Sequence, residues 1–155
     1  MTIEDDIVFF ERVPTLGQLG RDALRLLAIG AESRYVHGGE VLFTAGQEAD
    51  AGYVIQEGSF SLASGLADDD GKPLVVGRGT LIGELALLAE TKRAATATAL
   101  EPSTVLRIPR SLFLKMLEGY PNAALKLRDI LATRNNQSTT DIYGVRRILD
   151  PQDPS

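Results

Sequence analysis

Between Ser33 and Pro109 the chain abandons helical spacing for a series of short strand-like runs separated by glycine-rich turns. The runs are Arg34 to His37, Val41-Leu42-Phe43, Tyr53-Val54-Ile55, Phe60-Ser61-Leu62, Leu74-Val75-Val76, Ala94 to Leu100 and Thr104 to Ile108. A further strand-like stretch ends at Ile82. Gly38-Gly39, Gly46 and Asp68-Asp69-Asp70-Gly71 supply the turns, and Asp-Gly accepts the positive φ angles of a tight hairpin. Gly58, lodged between two runs, reads as a bulge or sharp bend. About seven or eight short strands of this kind predict a jelly-roll or closed barrel.

Helical spacing flanks that region on both sides. Over residues 14–31, Leu16, Leu19, Ala23, Leu26, Leu27 and Gly30 recur at three- and four-residue intervals, which is one face of a helix. Gly17 and Gly20 weaken its first turns, so two short helices are the alternative. After Pro109, Ser111 to Glu118 reads as a short helix stopped by Gly119, and Pro121 suits the start of another. Ala124, Leu127, Leu131 and Arg134 form one face of that last helix, which extends in this reading to about Gly144, roughly 35 Å. The expected fold is mainly β with flanking helices: a jelly-roll β-barrel (double-stranded β-helix), N-terminal helices and a C-terminal helical lid. The boundaries are 1–32 for the N-terminal helical segment, 33–109 for the barrel, 110–144 for the C-terminal helices and 145–155 for the tail, loose from Asp150 to Ser155.

Composition removes several function classes. A chain of 155 residues, 44% hydrophobic and 24% charged, suits one globular domain with a real core. Its formal net charge of −5 disfavours nucleic acid as a partner of this chain alone, because phosphates are held by Lys and Arg. With no cysteine and one histidine, His37, neither a disulfide nor a thiolate-held metal is expected, and a jelly-roll metalloenzyme would lack its histidine cluster. Asp68 to Asp70 lacks EF-hand spacing and reads as a solvated hairpin tip. The acidic opening Glu4-Asp5-Asp6 is the reverse of a signal peptide, and no apolar run approaches the eighteen or so residues of a membrane span. The expectation is a cytoplasmic, non-catalytic protein with no metal, no cofactor and no membrane partner.

One segment carries chemistry: Gly83 to Ala99, GELALLAETKRAATATA. Gly83 permits a sharp turn, and Glu84 to Leu88 can form a single helical turn whose free N–H groups attract anions. Arg93 brings a planar guanidinium suited to bidentate phosphate binding. Ala94 and Ala95 after it are small enough for close backbone approach. An acid, an arginine and a short helix start can together hold a ribose hydroxyl and a monoanionic phosphate.

This segment resembles the phosphate-binding cassette of cyclic nucleotide-binding domains, found in the regulatory subunit of cAMP-dependent protein kinase and in the bacterial catabolite activator. Gly83-Glu84-Leu85-Ala86-Leu87, a variable stretch, Arg93-Ala94-Ala95-Thr96 and a later alanine match the family's pattern. The likeness extends over about residues 12–139, through Gly39 to Phe43, Gly46, Tyr53 to Ile55, Gly58, Pro109-Arg110, Phe113, Pro121 and Arg134. It implies that Glu84 accepts a hydrogen bond from the ribose 2′-hydroxyl and that Arg93 pairs with the exocyclic phosphate oxygens. The amides of Leu85, Ala86 and Ala95 would complete the cradle, with Gly83 making room, and Val75 and Leu85 would pack near sugar and base. A hydroxyl residue directly after the arginine favours guanine in this family, so Ala94 implies cAMP over cGMP. Ser138 and Thr139 fall where the catabolite activator turns hydroxyls toward the adenine amino group, and Tyr143 is a candidate cap for the base.

The resulting expectation is a cyclic nucleotide sensor whose C-terminal helix closes over the ligand and is a candidate homodimer seam. The alternatives are a sensor segment of a larger regulator (transcription factor, channel or kinase) and a ligand-less interaction scaffold of the same fold. A DNA-binding role would need a helix-turn-helix after Thr139, and the residues that follow are too few for one.

Overall fold

Thr2 opens the first helix. Its hydroxyl accepts from the Asp5 amide and the Asp5 carboxylate accepts from the Thr2 amide, both at 3.2 Å, a reciprocal cap. Helix α1 (Ile3–Glu11) carries Glu4, Asp5 and Asp6 in its first turn, where the helix dipole favours negative charge, and it buries Ile7, Phe9 and Phe10. The acidic opening, placed in the 1–32 helical segment without a helix of its own, is therefore a helix in its own right. The 14–31 segment splits into a 3-10 turn at Leu16–Gln18 and α2 (Arg21–Gly30), as its two glycines allow. Ala23, Leu24, Leu27 and Ala28 form the buried face of α2. Gly30, expected on that face, is exposed, because the buried stripe is rotated toward Leu24 and Ala28.

The computed structural model describes residues 2–64, 73–133 and 145–146. The Asp68 to Gly71 turn, Arg134, the 134–144 extension of the last helix, Tyr143 and the 150–155 tail lie outside the described residues. After α2 come β1 (Glu32–Val36), β2 (Val41–Phe43), β3 (Glu48–Ala49), β4 (Ala51–Glu57), β5 (Ser59–Ser64), β6 (Leu74–Gly77), β7 (Leu81–Ile82), β8 (Thr91–Lys92), β9 (Ala95–Ala99) and β10 (Ser103–Pro109). Helices α3 (Arg110–Gly119) and α4 (Pro121–Thr133) follow, then β11 (Val145–Arg146). Two antiparallel sheets, ordered β1-β10-β4-β7-β11 and β2-β9-β5-β6, form the jelly roll, and β3 pairs with β8 beside them. Gly58 takes φ +93° at the β4–β5 bend, hard against Ser103, where any side chain would collide. The β10–β4 register shifts opposite it, between Thr104 and Val105, so the expected bulge is real. Val145 and Arg146 form the edge strand β11, opposite Ile82 and Leu81 of β7.

The central strands β4, β7 and β10 of the five-stranded sheet are buried on both faces, and the alternation of their side chains separates two cores. Tyr53, Ile55, Ile82 and Val105 turn into the barrel with Phe43, Phe60, Leu62, Val76 and the alanines of β9. Val54, Leu81, Leu106 and Ile108 turn outward to meet Ile7, Phe10, Leu24, Leu27, Phe113 and Met116 from the helices. In α4, Ala123 and Leu127 are buried whereas Ala124 is half-buried, so the inward stripe starts one residue earlier than its spacing suggested. Among the described residues, no helix is long and apolar enough to cross a membrane.

Candidate functional site

The two-residue ladder of β3 and β8, with Glu48 opposite Lys92 and Ala49 opposite Thr91, delivers Arg93 to the barrel. Its backbone is clamped: the Arg93 amide donates to the Gln47 carbonyl at 2.8 Å, and its carbonyl accepts from the Gly46 amide at 2.9 Å. The chain then enters β9, where Ala95, Ala97 and Ala99 face inward and occupy little volume. On the other side, β7 ends at Ile82 and Gly83 turns the chain with φ +77° and ψ +37° into a 3-10 turn over Glu84–Leu87. The two segments meet because Gly83 has no side chain: a Cβ there would strike Arg93 Nη1.

Arg93 is only 8% exposed. Nη2 donates to the Ala51 carbonyl at 2.9 Å, and the guanidinium carbon lies 4.2 Å from the Phe43 ring centre and 5.5 Å from that of Tyr53. Buried Nη1 has no hydrogen-bond partner. Among the described residues, no carboxylate lies within ion-pair distance of this side chain. Burial lowers its pKa from the ordinary arginine value, with Tyr53 and Asp50 pulling it back, yet a guanidinium stays charged inside proteins. Ring faces attract a cation but do not replace an anion. A buried cation without a counter-charge is costly, so its retention points to an anion that completes it.

Glu84, 1% exposed, follows a different path. Its Oε2 accepts a hydrogen bond from Thr15 Oγ1 at 2.6 Å, reaching across 69 residues to the helical layer. Arg93 therefore packs against Gly83 while the next residue is held from the N-terminal side; no ion pair joins the two charged groups. Leu85 and Ala94 are exposed, and Ala86 and Ala95 are buried. The Ala86 amide closes the turn on the Gly83 carbonyl at 3.1 Å, so an anion contact from it would be shared. Val75 falls on the outer face of the four-stranded sheet, because Leu74 and Val76 take the barrel side, so it does not line the interior as expected. Ser138 and Thr139 lie outside the described residues.

Two contributors escaped the sequence reading. Arg110, at the start of α3, donates from Nη1 to the carbonyls of Ala49 at 3.0 Å, Ala89 at 3.3 Å and Ala86 at 3.4 Å, fastening the turn to the β3 end. Its resemblance to the family's barrel exit was visible, but not this role. Thr15 had no signal at all. It is buried at 5% exposure and takes φ +78° and ψ −54°, a strained conformation for a β-branched residue, worth on the order of 1–3 kcal/mol.

The cyclic nucleotide-binding domain family matches residues 33–120. The solved structure of a cyclic nucleotide-binding-like protein from Brucella abortus is 39% identical, covers 74% of this chain and 98% of its own, and superposes with a TM-score of 0.63. The N-terminal domain of a transcriptional regulator from Streptomyces coelicolor is 29% identical, with 97% and 99% of the two chains covered and a TM-score of 0.74. Among curated proteins, lysophospholipase NTE1 of Pyricularia oryzae is 33% identical over 110 residues, which are 68% of this chain and 7% of that protein. So small a share of its length leaves the lysophospholipase activity with that protein. The matched segment contains the whole barrel core and the whole 83–99 segment, and the chain belongs to the cyclic nucleotide-binding domain family.

Proposed function

We propose that this chain is a non-catalytic sensor that binds cAMP inside the barrel, with the 83–99 segment as its phosphate-binding cassette. The supporting observation is the Arg93 guanidinium, buried among aromatic rings with one nitrogen bonded to Ala51 and the other without a partner. A cyclic phosphodiester carries one negative charge and two exocyclic oxygens, which match that unspent donor and the missing counter-charge. Glu84 accepts the ribose 2′-hydroxyl, and the Leu85 and Ala95 amides join Arg93 at the phosphate, with a shared contribution from Ala86. Because Ala94 offers no hydroxyl to a guanine amino group, cAMP is favoured over cGMP. Ser138 and Thr139 are proposed to reach the adenine as the C-terminal helix rearranges over the base. Such closure requires contacts made only in the closed state.

The test is thermal stabilisation across cAMP, cGMP, a cyclic dinucleotide, AMP and adenosine. A native-state ligand at about 100 times its Kd adds about 2.7 kcal/mol. The largest shift is expected with cAMP, a smaller one with cGMP and little with adenosine. No shift with any cyclic nucleotide would overturn the proposal. A second reading, the sensor segment of a larger regulator, is supported by the curated match, in which the shared region is 7% of the longer protein.

A further inference from the structure

Thr15 sits where a glycine would cost nothing. Its φ of +78° is the one positive value at a non-glycine position among the described residues, and a β-branched side chain tolerates that conformation poorly. Strain of this kind persists where the surroundings over-determine it and the side chain has a task. Here the hydroxyl is buried and donates to Glu84 Oε2 at 2.6 Å, within the short range of a hydrogen bond to a charged acceptor. The loop carrying it is braced by the Gly17 amide on the Val13 carbonyl at 2.8 Å.

A carboxylate has about four lone-pair directions and one flexible axis, χ3, about which it rotates. A donor fixed on one oxygen sets the plane of the group and so the direction in which the other oxygen presents itself. From this geometry we infer that Thr15 is a positioning residue for sugar recognition: it holds the Glu84 carboxylate in the orientation that accepts a ribose 2′-hydroxyl. The inference rests on the cyclic nucleotide reading above and adds to it a residue outside the family-matched segment, which begins at residue 33. Recognition of the sugar thereby draws on the N-terminal helices as well as the barrel.

The test compares cAMP with 2′-deoxy-cAMP by titration calorimetry on the wild-type chain, Thr15→Val, Thr15→Ser and Thr15→Gly. Valine keeps the shape and the strain and removes only the hydroxyl; glycine removes the hydroxyl and the strain, so it folds where valine does not. The wild type is expected to prefer cAMP. Thr15→Val and Thr15→Gly are expected to lose on the order of ten-fold in cAMP affinity, about 1.4 kcal/mol, with 2′-deoxy-cAMP binding unchanged, and Thr15→Ser to restore the preference. A purely structural role would weaken both ligands alike and leave their ratio intact, and that result overturns the inference while leaving cAMP binding in place. Absence of binding by the wild type to either ligand would instead sink the cyclic nucleotide reading itself and the inference with it.

Discussion

The two cores share one sheet and are filled on opposite principles. The core between sheet and helices is apolar throughout, built from Ile7, Phe10, Leu16, Leu24, Leu27, Phe113 and Met116. The barrel core is lined on β9 by three alanines, and it admits a guanidinium against Phe43 and Tyr53. Apolar side chains alone fill the helical side; the barrel side sets three alanines and a charge beside Phe60 and Leu62. Strands β4, β7 and β10 are common to both cores.

Substitutions on the two sides should therefore separate. The largest effect on folding is expected for Phe10→Ala, which removes a fully buried ring from the helical core and should cost about 3–5 kcal/mol in urea unfolding, with ligand affinity of the folded protein little changed. Arg93→Met should do the reverse. It replaces an uncompensated buried charge by an apolar chain of similar length, so unliganded stability is expected to hold or rise by about 1–4 kcal/mol while binding is lost. A large fall in stability would mean the cation is structural and erase the contrast. Gly83→Ala should cost about 1–2 kcal/mol through its left-handed backbone, and it should also weaken ligand binding by displacing Arg93.

The smallest effect concerns Asp6 on α1. Burial raises its carboxyl pKa, partly offset by the chain's amino terminus and by the hydrogen bond from Gln56 Nε2 at 3.3 Å. The folded state thus holds this proton more tightly than the unfolded chain does. The stability from this group is present below the ordinary carboxylate range and lost as pH rises through the raised value. Asp6→Asn, which can still accept from Gln56, is expected to flatten that dependence and slightly stabilise the protein at neutral pH. Melting curves at several pH values read this directly, and a parallel pH dependence in mutant and wild type would contradict it.

What was legible in the chain depended on how local its cause is. The run Val41-Leu42-Phe43 became β2 with those boundaries because alternation and flanking turns suffice to define it. The bend at Gly58 and the turn after Gly83 were legible because only glycine takes those backbone angles cheaply. The two-residue strands β3 and β8 were invisible, since a ladder that short exists only through its partner across the fold. Helix α1 was legible only as part of a helical 1–32 segment, since the charges of its acidic first turn are favourable only once a helix dipole is there to meet them. At the site, the residue types from Gly83 to Ala99 singled out Arg93, which is buried there with Nη1 unpartnered. The hydrogen bond from Thr15 to Glu84 was not legible, because its partner lies 69 residues away and nothing near Thr15 in sequence marks the hydroxyl.

The most direct measurement is a calorimetric cycle of wild type and Arg93→Ala against cAMP and adenosine. If the cyclic phosphate is the counter-charge of Arg93, the mutation should cost cAMP roughly 2–5 kcal/mol, on the order of 30- to several-thousand-fold in Kd, and leave adenosine untouched. Equal cAMP affinity in the two proteins would contradict it.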